Sequence, residues 1–127
     1  MRMLACAAAL LLVAAGCDSS PRLYRVTGTV TWKGDPVEDG QIIFESEDGQ
    51  THPAAGKFGP GGKYELRIQA GKKIVRVHGQ RSKGFNKVMN QTTFESYIPA
   101  EYDSKSKIAF DVEPNDDNVF DIKLPMK

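Results

Sequence analysis

Cysteine, histidine and clustered carboxylates are the residues of this chain with chemistry to offer, and their spacing limits what that chemistry is. The cysteines are Cys6 and Cys17. Cys6 lies inside an apolar run, and Cys17 ends the stretch Val13-Ala14-Ala15-Gly16-Cys17. A thiol can be alkylated to a thioether, and small residues beside it leave the backbone open to a protease. Two cysteines supply neither a zinc-site spacing nor a disulfide framework. His52 and His78 have no Cys or second His at metal-ligand spacing, and both are expected as surface histidines. Asp111, Glu113, Asp116, Asp117 and Asp121 gather near the last turn, and their oxygens are of the kind that bind calcium. They lack the Asp-x-Asp-x-Asp-Gly spacing, so a solvated acidic turn is expected. Gly59-Pro60-Gly61-Gly62 lacks the lysine and following helix of a phosphate loop and reads as a hairpin turn. Nothing marks a Ser/His/Asp arrangement. No catalytic residue, no metal ligand and no cofactor are expected.

Binding chemistry has two candidates. The stretch from Gln80 to Ser106 loses the regular alternation found elsewhere and holds Phe85, Phe94, Tyr97 and Tyr102. Aromatic rings in such a loop stack on sugars, or else pin the loop to the domain beneath. Lys72, Lys73, Arg76, Arg81, Lys83 and Lys87 form a basic region that suits anionic lipid or an acidic polymer. The whole chain has a formal net charge of only +1. No strong field therefore points to nucleic acid.

The thiol at Cys17 takes its meaning from what precedes it. Arg2 is the only charge before Asp18, and Leu4 to Val13 is unbroken and apolar. A positive start, a short apolar run and small residues Ala14-Ala15-Gly16 make a secretory signal. The run is shorter than the roughly 20 residues needed to span a bilayer. Val13-Ala14-Ala15-Gly16-Cys17 resembles the bacterial lipobox, departing from it at Ala14, where Leu is more usual. The resemblance implies lipid addition at Cys17 and cleavage between Gly16 and Cys17. An ordinary secretory signal ending by chance at a cysteine, or a weakly inserted membrane helix, are the alternatives. The expected division is a signal over residues 1–16, a lipidated tether over 17–22 and one domain over 23–127. Five tether residues, Asp18 to Arg22, reach at most roughly 17 Å, so the domain is expected close to the bilayer.

The elements that must position any site are strands. Tyr24, Val26, Gly28, Val30 and Trp32 alternate with Arg25, Thr27, Thr29, Thr31 and Lys33, the pattern of a half-buried strand. Gly34-Asp35-Pro36 and Asp39-Gly40 break it, and Gln41 to Phe44 reads as its antiparallel return strand. Thr51–Phe58, Lys63–Gln69, Lys73–Gly79, Lys107–Glu113 and Val119–Leu124 repeat the alternation between Gly- and Pro-rich turns. The total is about seven short strands with almost no helical period, the pattern of an all-β sandwich.

Val26-Thr27-Gly28-Thr29-Val30, Gly34-Asp35-Pro36-Val37, Gly40-Gln41-Ile42-Ile43-Phe44, Gly62-Lys63-Tyr64-Glu65-Leu66 and Gly71-Lys72-Lys73 resemble the carboxypeptidase regulatory-like, or transthyretin-like (prealbumin-like), domain. Ile98-Pro99-Ala100-Glu101-Tyr102, with Ser104 and Ser106, looks like the form found in small bacterial envelope lipoproteins. The resemblance covers roughly Leu23 to Leu124. It implies a seven-stranded Greek-key sandwich, usually non-catalytic. One enzymatic branch of that fold hydrolyses 5-hydroxyisourate and ends in Tyr-Arg-Gly-Ser, whereas this chain ends Leu124-Pro125-Met126-Lys127. No catalytic residue carries across. The expectation is a non-enzymatic lipoprotein on the cell membrane or outer membrane, facing periplasm or exterior. Its expected partners are the membrane and an envelope protein or glycan.

Overall fold

The computed structural model describes residues 21–126. The segment carrying Gly16 and Cys17 lies outside the described residues. Within them, two sheets face each other as a β-sandwich, as the alternation predicts.

The first sheet is built on β1 (Tyr24–Trp32). Thr27 pairs with Glu65 of β5 (Lys63–Ile68) and with Val119 of β9 (Asn118–Val119), so these two strands occupy opposite edges of β1. β5 runs antiparallel; β9 and β10 (Ile122–Leu124) run parallel to β1. Val26 opposes Asn118 and Val30 opposes Ile122, so the register holds from β9 into β10. β2 (Asp35–Pro36) folds straight back onto the end of β1. Lys33 and Gly34 make that turn with φ of 51° and 89°. Positive φ at both central residues matches the twist of a two-residue hairpin.

The second sheet is built on β6 (Gly71–Asn86). Val75 pairs with Phe44 of β3 (Gly40–Ser46) and with Ile108 of β8 (Ile108–Val112), which fixes those neighbours on opposite edges. β4 (Ala54–Lys57) lies beyond β3. Farther along, β7 (Gln91–Ser96) pairs with the last residues of β6.

Side chains from both sheets meet between them. Val26, Val30, Leu66, Ile68, Ile122 and Leu124 come from the first sheet; Ile42, Phe44, Val75, Val77, Ile108 and Val112 from the second. Phe44 is fully buried, with its ring 6.2 Å from Tyr64 and 6.1 Å from Phe110. Each such side chain contributes about 1.5–3 kcal/mol by leaving water.

Three expectations change. Gln41–Phe44 is not the return strand of β1; it lies in β3, in the opposite sheet. Alternation fixes which face a strand buries, and it is the same whichever sheet the strand joins. Gly59–Gly62 is not a hairpin turn but a corner between sheets, because β4 pairs with β3 and β5 with β1. There Pro60–Gly62 forms a 3-10 turn, with Gly61 and Gly62 at φ of 76° and 72°. Finally, residues 80–96 are a regular two-stranded ribbon made by the end of β6 and β7. It projects past Gly40, where β3 stops pairing with β6. Both its faces are largely exposed and polar, and a bulge at Lys83 shifts the period, so no alternation shows in the sequence.

Candidate functional site

The four aromatics of the 80–106 stretch separate into two pairs. Tyr102 is buried, edge-on to Trp32 at 6.3 Å, and its hydroxyl accepts the Met126 N–H at 3.1 Å. It packs against the sandwich and is not presented to a ligand. Tyr97 is half-buried beneath Arg81, whose guanidinium carbon lies 5.4 Å from the ring centre. Burial raises the Tyr97 phenol above its usual range, with Arg81 opposing. Phe85 and Phe94 are 60% and 54% exposed.

The bulge decides where those two rings point. Ser82 pairs with Phe94, Lys83 has no partner, and Gly84 pairs with Thr93. Without that extra residue, Phe85 would share the face of Arg81. With it, Phe85 pairs with Thr92 and shares the face of Phe94, at diagonal positions. A bulge re-aims side chains in this way. Gly84 accommodates it at φ of 114°. Between the strands, the turn sets out Val88 at 96% exposure and Met89 at 58%.

The basic region does not form one surface. Lys73 points into the sandwich at 2% exposure, where its ammonium donates to Thr51 Oγ1 at 3.2 Å. Burial lowers its pKa, and Asp48 partly offsets this. Arg81 is paired with Glu95 at 2.9 Å across the ribbon. Lys72, Lys83 and Lys87 are exposed, and the latter two flank the ribbon tip.

Arg76 belongs to a charge network absent from the sequence reading. Its guanidinium contacts Glu45 at 2.8 Å and Asp103 at 3.5 Å, and His78 Nδ1 lies 3.0 Å from the other Asp103 oxygen. Hydrogen bonding to Glu45 raises the Arg76 pKa above its already high value, against desolvation. Arg76 Nε also donates to the Asp103 carbonyl at 3.2 Å. The outward face of β6 thus grips the 97–106 segment. His78 is therefore half-buried and partnered rather than a plain surface histidine. Strand alternation placed Arg76 and His78 on one outward face; a partner 25 residues later carries no local signal.

The acidic group is dispersed into clips for the first sheet. Asp116 accepts the Arg25 N–H at 3.0 Å, and Asp121 accepts the Thr29 N–H at 2.9 Å. His52 is exposed. No group of three or more metal-ligating side chains lies together among the described residues. A shallow depression of about 570 Å³ is lined by Thr27, Gly28, Thr29, Lys57, Gly59 and Lys63 to Glu65.

No family model matches the chain, and no curated protein matches it. Among solved structures, a 9R-lipoxygenase from Cyanothece aligns at 15% identity and a TM-score of 0.41, over 84% of this chain and 17% of its own. A DUF3823 family protein from Parabacteroides merdae aligns at 12% identity and a TM-score of 0.44, over 82% of this chain and 46% of its own. The chain therefore spans less than half the length of either.

Proposed function

We propose that this chain is a lipid-anchored envelope protein whose β-sandwich, of the carboxypeptidase regulatory-like or transthyretin-like kind, is a non-catalytic interaction module. The observation that carries this reading is the run Val13-Ala14-Ala15-Gly16-Cys17, placed seven positions ahead of a strand that starts at Tyr24. Lipid on Cys17 holds the module at a membrane facing periplasm or exterior, and two or three acyl chains make the attachment firm. Support comes from three polar side chains that serve the fold: Asp103 holds Arg76 and His78, Asp121 holds Thr29, and Tyr64 holds Phe120.

The test is intact mass of the protein extracted in detergent from its native membrane. A mass of residues 17–127 plus acyl chains supports the anchor; that mass without lipid means a freely diffusing domain. Turnover of an ester, peptide or ureide by purified protein removes the non-catalytic reading. The exposed rings of Phe85 and Phe94 on one face also favour glycan stacking as a second reading. A glycan array probed with the anchored form tests it.

A further inference from the structure

We infer that the ribbon of residues 80–96 is an arm whose tip docks on an anionic lipid surface, at the end of the domain opposite the chain's entry. The placement relative to an anchor rests on the lipoprotein reading above; the chemistry of the tip does not.

The arm's position follows from the strand register. Tyr24 opposes Ile68, so β1 enters beside the end of β5. β6 starts at Gly71, at that same end, and runs away for 16 residues, a span of about 50 Å. Beyond Gly79, β3 no longer pairs with it, and only β7 accompanies it to the tip. An isolated two-stranded ribbon is marginal in water, yet this one places Phe85, Val88, Met89 and Phe94 in solvent, each more than half exposed.

Charge selects the occupant. The arm's one carboxylate, Glu95, is held by Arg81, which leaves Lys83 and Lys87 in no ion pair among the described residues. Apolar side chains interleaved along the arm with Lys83 and Lys87, whose long stems let the ammonium groups reach outward, match the boundary between acyl chains and anionic headgroups. There the rings enter the apolar layer and the ammonium groups stay at the phosphates. Shape agrees. A tip four residues wide, Lys87 to Asn90, offers too little area for a stable rigid protein interface, which takes about 800 Å² per partner. Lipid needs no matching cavity.

The experiment uses full-length protein carrying Val88→Trp, in parallel with the unsubstituted chain so that the Trp32 signal is subtracted. The protein is first floated with phosphatidylcholine vesicles, which reports the anchor alone. Phosphatidylglycerol vesicles are then added, and tryptophan emission reports the tip. The expected result is a blue shift with phosphatidylglycerol that is weak or missing with phosphatidylcholine. Lys83→Gln with Lys87→Gln should weaken that partition about thirty-fold, since each lysine near an anionic surface contributes about a factor of five. Phe85→Ser with Phe94→Ser should weaken it at least about ten-fold. All four sites are exposed, and unchanged thermal melting confirms that the variants fold. Emission that stays at its aqueous wavelength with both vesicle types overturns the inference, as does crosslinking of the tip to an envelope protein instead. A chain that fails to float yet shows the shift removes the anchor and keeps the arm.

Discussion

Replacing Gly28 by alanine tests the packing of the first sheet through the sign of its effect. Gly28 sits mid-strand outside the left-handed region, where alanine ordinarily stabilises by about 0.4–1 kcal/mol through the unfolded chain. Here a Cβ would lie 2.0 Å from the Phe120 carbonyl oxygen and 2.9 Å from the Tyr64 hydroxyl. That hydroxyl donates to the same carbonyl at 2.5 Å, and the Phe120 ring stacks on Phe110 at 4.4 Å. The methyl must push the Phe120 backbone away, straining β9 and β10, breaking the Tyr64 bond and loosening the stack. Overpacking costs about 1–3 kcal/mol, the lost bond about 1, and the stack up to about 1.5. A net loss of about 3 kcal/mol is expected, which lowers the midpoint of thermal melting by at least about 10 °C. Urea unfolding followed by Trp32 fluorescence gives the same quantity as a reduced midpoint with unchanged slope. Tyr64→Phe alone should cost only about 1 kcal/mol, because the carbonyl and ring stay in place. A Gly28→Ala protein as stable as the parent, or more stable, refutes the packing argument.

Other outcomes follow from the same structure. Phe44→Ala empties the centre of the sandwich and should cost about 3–5 kcal/mol in urea unfolding. Asp103→Ala removes the shared partner of Arg76 and His78 and should cost about 1 kcal/mol, with faster amide exchange across 97–106 than across β6. Burial lowers the Lys73 pKa, so the native state releases that proton before the unfolded state does. Stability relative to Lys73→Met should therefore rise with pH, in the window between the lowered native pKa and the ordinary 10.5. Tyr64 behaves oppositely. Its phenol is raised by burial, so the unfolded chain ionises first and stability should fall above the ordinary value of 10.0, less steeply in Tyr64→Phe.

The sandwich was legible because each core strand faces water on one side only. Tyr64, Leu66 and Ile68, or Val75 and Val77, alternate with polar residues and are buried where that alternation places them. Sheet membership was not legible, since Ile42 and Phe44 look the same in either sheet. Lys73 sits at a core-facing position because its long stem lets the ammonium reach Thr51 at the sandwich end, which no periodicity registers. In the 80–106 stretch, the aromatics were visible as types, but their fates were not. Tyr102 is decided by Trp32 and Met126, far away in the chain, and Phe85 by one unpaired residue, Lys83.

The parallel pairing of β1 with β9 and β10 bears on how the chain is made. Val26 waits for Asn118 and Val30 for Ile122, a separation of 92 residues in each case. A nascent chain thus lacks one whole edge of its first sheet until residues 118–124 have been made. Contacts of such long range slow folding. Were the chain exported in extended form, as the lipoprotein reading proposes, this delay would be useful. Premature closure is discouraged by topology alone, and the first sheet completes only when residues 24–32 and 118–124 share one compartment.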